Sequence, residues 1–225
     1  MKKLEPLITP MSLDSCFYTR LGVTLKSTSV DEKITLVDRL HEDYQRGVLS
    51  RDQQSECFMA EGVGFLSAPV LIDPKGLPRR GFHAEVGRIA FLHAVAHIEF
   101  NAINLALDAA YRFRDFPEQY YADWLQVAAE EVKHFRLLND RFASLGSHYG
   151  DLPAHRGLWD MCEKTQYDAL ERMALVPRYL EAKGLDVTPA MIVKLNNAGD
   201  HESAEILKII LTDEVGHVRM GSDWF

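Results

Sequence analysis

An all-α fold, an antiparallel four-helix bundle preceded by an N-terminal arm with one extra helix, is predicted by three observations. After about residue 84, apolar residues recur at alternating four- and three-residue spacing over long stretches. Short segments carrying proline or glycine separate those stretches. Glutamates interrupt the apolar seams at matching places in the two halves of the bundle. At 225 residues the chain can fill one large core, so the expected organisation is an arm over residues 1–80 and a bundle over 81–225.

In the arm, Ser29-Val30-Asp31-Glu32 has capping-box spacing and opens an amphipathic helix through Ile34, Leu36, Val37, Leu40 and Tyr44, ended by Gly47. Phe65 to Pro78 holds Pro69, Pro74 and Gly76 and reads as extended surface chain. The first bundle helix runs from about Ala84 to Arg114, with Leu92, Ala96, Glu99, Ile103, Ala106, Ala110 and Phe113 on one seam. Past Asp115-Phe116-Pro117 the second runs to Leu145 and aligns Trp124, Ala128, Glu131, Phe135, Leu138, Phe142 and Leu145. Gly146 to Gly157 forms the crossing.

The third helix is expected from Leu158 to Lys183, with Tyr167, Leu170, Ala174 and Glu181 on one face, a kink at Pro177 and a stop at Gly184. Thr188-Pro189 then starts a short helix to Asn197. The fourth long helix follows Gly199 and places Leu207, Ile210, Glu214, His217 and Gly221 on its seam.

Composition excludes several classes. A formal charge of −8 disfavours an electrostatic grip on nucleic acid or on an anionic membrane surface. No run of eighteen or so apolar residues suggests a membrane helix, and no signal-peptide pattern follows Met1. Cys16, Cys57 and Cys162 are odd in number and widely spaced, which suits reduced thiols in a bacterial-type cytoplasm. Arg79-Arg80 is too short a basic patch to imply nucleic acid.

Two Glu-x-x-His motifs, Glu131 to His134 and Glu214 to His217, can each aim a carboxylate and an imidazole from one helix face at one ion. A bare carboxylate on a buried seam loses several kcal/mol, roughly, unless a cation or hydrogen bonds compensate it. Glu99 lies 32 residues before Glu131, and Glu181 lies 33 before Glu214, so the halves read as two copies of one hairpin. For the third helix Glu181 has the repeat spacing, while Glu171, in mid-helix, is the runner-up. Glu130 and Asp213, four residues before the motif histidines, are candidates to accept the imidazoles' second N–H. His93 and His97 lie off the Glu99 seam; His97 is assigned to the surroundings of the site and not to the ligands. Four carboxylates and two imidazoles in a bundle core form the donor set of a di-iron or di-manganese site, with no catalytic group identified beyond it.

The six-residue pattern resembles the ferritin-like di-iron carboxylate superfamily. The strings His97-Ile98-Glu99, Asp151-Leu152-Pro153-Ala154-His155, Leu180-Glu181-Ala182-Lys183-Gly184-Leu185-Asp186 and Asp213-Glu214-Val215-Gly216-His217-Val218 are similar to an uncharacterised bacterial branch of it. The resemblance covers about residue 80 to the end. It implies a ferritin-like fold, two iron ions (with manganese as the other candidate), and oxidase, hydroxylase, peroxidase or ferroxidase chemistry. The partners it implies are molecular oxygen or peroxide and an unidentified small molecule, without nucleic acid or membrane; a homodimer is open to it. The alternatives are an iron-handling ferroxidase without organic substrate and a metal-free helical interaction module.

Overall fold

The computed structural model describes residues 15–51, 57–63, 66–78 and 81–225. Phe65, where the stretch expected to be extended chain begins, and the short Arg79-Arg80 patch lie outside them. The described residues form an all-helical bundle without strands. Its elements are α1 (Phe17–Lys26), α2 (Val30–Gln45), α3 (Glu85–Arg112), α4 (Glu118–Ser144), α5 (Gly157–Lys164), α6 (Ala169–Leu175), a wide π turn (Val176–Glu181), α7 (Ala182–Asn197) and α8 (His201–Asp223).

α3 and α4 form one hairpin and α7 and α8 another, and α4 packs on α8 to join them. Seam residues such as Ile103, Ala106, Ala128, Phe135 and Leu207 are buried, as their spacing predicts. By length and composition α3 could cross a membrane, contrary to the sequence expectation, but 67% of its apolar window is buried inside the bundle. Its apolarity reflects a central helix covered on most sides.

The arm holds two helices where one was expected. The additional helix, α1, has no side-chain cap and buries Phe17, Leu21 and Leu25 at helical spacing against α3. α2 starts as predicted, with the Ser29 hydroxyl accepting from the Glu32 amide. From α2, the fully buried Lys33 donates from Nζ to the Leu25 carbonyl at 3.0 Å and to Asn104 Oδ1 at 2.7 Å. Burial lowers its pKa to about 7.

The third rod of the bundle, built from α5, α6, the wide turn and α7 between the rods α4 and α8, departs most from expectation. It breaks at Thr165–Asp168, and the Asp168 carboxylate accepts the Leu170 and Glu171 amides to start a new helix. Tyr167 and Leu170 therefore face solvent, and the buried face is Arg172, Met173, Val176 and Pro177. Arg172 bridges this break to α3: Nη1 reaches Asp108 Oδ2 at 2.6 Å and Nη2 the Cys162 carbonyl at 2.8 Å. Pro177 opens the wide turn, as its predicted kink implied. Gly184 does not end the rod, because α7 runs through it and through Pro189 to Asn197. The positive φ of Gly199 (77°) makes the tight corner into α8.

Candidate metal centre

Each of the four rods carries a carboxylate toward the middle of the bundle. Glu99 of α3, Glu131 and His134 of α4 and Glu214 of α8 have ligand atoms all within 4.8 Å of one another. Glu181, at the end of the wide turn, forms a second such group with Glu214 and His217, so Glu214 belongs to both. Glu171 faces solvent away from them. Of the two third-rod candidates, the structure brings Glu181 to the cluster.

Glu131 joins the two groups. Its Oε2 lies 3.4 Å from His134 Nδ1 and its Oε1 lies 3.1 Å from His217 Nδ1. His134 Nδ1 is also 3.1 Å from Glu99 Oε2, and His217 Nδ1 is 3.6 Å from Glu214 Oε2. Donors bound about 2.1 Å from one small cation at right angles stand roughly 3.0 Å apart, so these separations match a ligand shell.

Glu99, Glu131, His134 and His217 are buried. Glu131 Oε1, Glu181 Oε2, Glu214 Oε2 and His217 Nδ1 are shut from solvent without a hydrogen-bond partner among the described residues. The 3.1 Å approach of Glu131 Oε1 to His217 Nδ1 is an ion-pair distance that lacks hydrogen-bond geometry. Each orphaned atom costs on the order of 1–3 kcal/mol, and a cation among them satisfies all at once. The residues therefore fit divalent metal.

Without a cation, protons take up the imbalance. Burial, then the Glu131 charge, pushes the Glu99 carboxyl well above its ordinary value. Burial and the Glu214 charge raise Glu181 to about 8, and burial and the Glu131 charge raise Glu214. Burial alone would depress the His134 imidazolium, but the Glu131 and Glu99 carboxylates override it and raise it to about 11. His217 moves upward too, where contacts with Glu130, Glu131 and Glu214 outweigh burial. For Glu131 burial works upward, yet the two imidazoles hold its carboxyl far down. Four carboxylates of charge −4 and two neutral imidazoles are balanced by two divalent cations.

The outer nitrogens are also fixed. Glu130 and Asp213 do accept imidazole N–H groups, but each serves the other hairpin. His134 Nε2 lies 3.0 Å from Asp213 Oδ2, and His217 Nε2 lies 2.7 Å from Glu130 Oε2. With Nε2–H given to a carboxylate, Nδ1 is left to offer its lone pair to the centre. Sequence spacing suggested the acceptors; the exchange follows from packing of α4 on α8. Two further residues escaped the sequence reading. Gln126 donates to Glu130 at 2.7 Å and Lys133 to Asp213 at 2.6 Å. Gln126 sits one helical turn before Glu130, a signal open to inspection.

His97 is not in the surroundings of the cluster, contrary to expectation. Its Nδ1 meets the Tyr149 hydroxyl at 2.8 Å and its Nε2 the His155 carbonyl at 2.9 Å, so both nitrogens serve the crossing loop. Two residues before Glu99 on a helix, it points to the opposite side of α3.

A family model described as "Protein of unknown function (DUF455)" matches residues 26–225. The chain is 44% identical over 219 residues to a protein of Haemophilus influenzae described as uncharacterized, a match covering 93% of this chain and 76% of that one. No solved structure matches it.

Proposed function

The chain belongs to the DUF455 family, and we propose that it is a ferritin-like di-iron carboxylate protein acting as an oxygen-dependent oxidase or hydroxylase on a small organic substrate. One observation carries the reading: two donor groups share Glu214, and Glu131 reaches from one imidazole to the other. Glu99, Glu131, His134 and Glu214 would hold one ion; Glu181, Glu214, His217 and Glu131 would hold the other. An oxygen-rich set with one imidazole per metal suits iron or manganese, and among the described residues no cysteine joins either donor group as structural zinc would favour.

When bound, a ferrous pair supplies the electrons that reduce dioxygen. The protein's own residues do the rest. Glu131 and Glu214, the carboxylates placed between the two imidazoles, would contribute oxygens to both ions. Asp213 and Glu130 orient the imidazoles through Nε2–H, so that Nδ1 is the nitrogen that would give up its proton and offer its lone pair to a cation. Buried Ile103, Ala128, Phe135 and Leu207 along the seams exclude water from the centre. Among the described residues Cys16, Cys57 and Cys162 form no disulfide, which suits a reducing cytoplasm.

The test is metal analysis joined to oxygen uptake. Purified without chelator, or reloaded with Fe(II) under anaerobic conditions, the protein should hold two irons per chain and develop a near-ultraviolet band on exposure to oxygen. Glu131→Ala and Glu214→Ala should lose that binding. Two irons retained in both variants would refute the ligand assignment. A hollow multi-subunit shell on a sizing column, with iron oxidised and no organic product, would replace the oxidase with a ferroxidase.

A further inference from the structure

The aim of Glu181 needs a physical cause, because an ordinary helix would not provide it. An uninterrupted α-helix turns about 100° per residue, so counting from Met173 it returns Leu180 to within roughly 20° of the same face and leaves Glu181 about 80° away. Met173 is fully buried, which makes its face the inward one. The wide turn over Val176–Glu181 takes up an extra residue and cancels that offset. The inward line then runs Met173, Pro177, Glu181 and resumes in α7 at Ile192 and Leu195.

Two residues account for the wide turn being here. Pro177 has no N–H to give the Met173 carbonyl and its ring crowds the preceding turn, which opens the ladder. The ring then needs room, and Gly221 of α8 provides it. A Cβ at position 221 would lie 2.2 Å from Pro177 Cβ and 2.5 Å from its Cγ, too close without movement. Gly221 is buried and continues the α8 stripe of Glu214 and His217 by one turn. The bare backbone under Pro177 therefore stands next to the half of the centre that Glu181 completes.

We propose that Pro177 seated on Gly221 is a positioning device that turns Glu181 into the centre and so decides whether the His217 half can hold its ion. The inference rests on the two-metal reading above. It assigns Pro177 and Gly221 no contact with metal or substrate.

The test uses the full chain and cobalt(II), followed by visible absorption and by metal analysis. Wild type should bind two ions in two spectral steps, and Glu181→Ala one. Gly221→Ala should match Glu181→Ala, keeping the His134 half and unchanged far-ultraviolet circular dichroism. Gly216→Ala, where a Cβ meets nothing within 4 Å, should keep both ions. Should Gly221→Ala not fold, Pro177→Ala decides, since it restores the amide without adding bulk. Two ions bound with wild-type affinity by Pro177→Ala or by folded Gly221→Ala overturn the proposal. A wild type that binds no cobalt would sink the two-metal reading instead. The positioning role is then judged on the metal-free crystal structure of Pro177→Ala, in which Glu181 should have turned away from Glu214. A Glu181 carboxylate still beside Glu214 overturns it.

Discussion

Lys33 is the sharpest place to test how the arm is held to the bundle. Its ammonium is wholly buried between α1, α2 and α3, bonded to a carbonyl and an amide oxygen, and Glu32 is the acid whose field reaches it. Burial lowers its pKa from 10.5 to about 7. Between about pH 7 and 10.5 the unfolded chain holds a proton that the folded chain has released, so stability rises with pH across that window. Below pH 7 both states are charged and the folded state bears the whole cost; above 10.5 both are neutral and the dependence ends. At about 1.4 kcal/mol for each pH unit of that window, the full rise is on the order of 5 kcal/mol. Lys33→Met should remove that slope. It also leaves the Leu25 carbonyl and Asn104 Oδ1 without a donor, at about 1–3 kcal/mol each, so the slope discriminates better than stability at one pH. The assay is urea unfolding of metal-free wild type and variant from pH 6 to 10, reading the difference in unfolding free energy. A difference that stays flat with pH would refute the buried-charge argument.

Other expectations concern the centre and its supports. Asp213→Asn should weaken the His134 half, and Glu130→Gln the His217 half, each by about 10- to 100-fold in metal affinity by titration; the opposite pairing would contradict the exchange between hairpins. Glu171→Ala should leave metal content at the wild-type value, while Glu181→Ala loses one ion, as read by elemental analysis. Arg172→Ala strips a buried partner from Asp108, which keeps Arg112 as its other one. It should cost about 3–5 kcal/mol in denaturant unfolding while the metal stoichiometry of the folded protein holds.

Most of the bundle was legible because long seams obey one period. Glu99, Glu131 and Glu214 betray themselves as acids in otherwise apolar lines, and Ser29 announces its helix through capping chemistry. The third rod was misread where local signals and packing conflict. Gly184 reads as a stop, but glycine inside a helix costs only about 1 kcal/mol, which packing of α7 on α8 overcomes. Tyr167 and Leu170 follow the period yet belong to a different register, because Asp168 restarts the helix and Pro177 widens it. α1 escaped notice since an uncapped helix of ten residues is held by tertiary burial more than by its own ends. His97 was misplaced because neighbours in sequence on a helix face different ways. The exchange of Glu130 and Asp213 depends on how two hairpins dock, and no spacing within one helix encodes it.

That exchange has a consequence for assembly. Neither hairpin owns a finished half of the centre: the imidazole of each is steadied by an acid from the other, and Glu131 of the first reaches the histidine of the second. Metal affinity therefore reports the seating of α4 against α8, and a substitution anywhere along that seam that slides one helix by a fraction of a turn should surface as lost metal before it surfaces as lost helix.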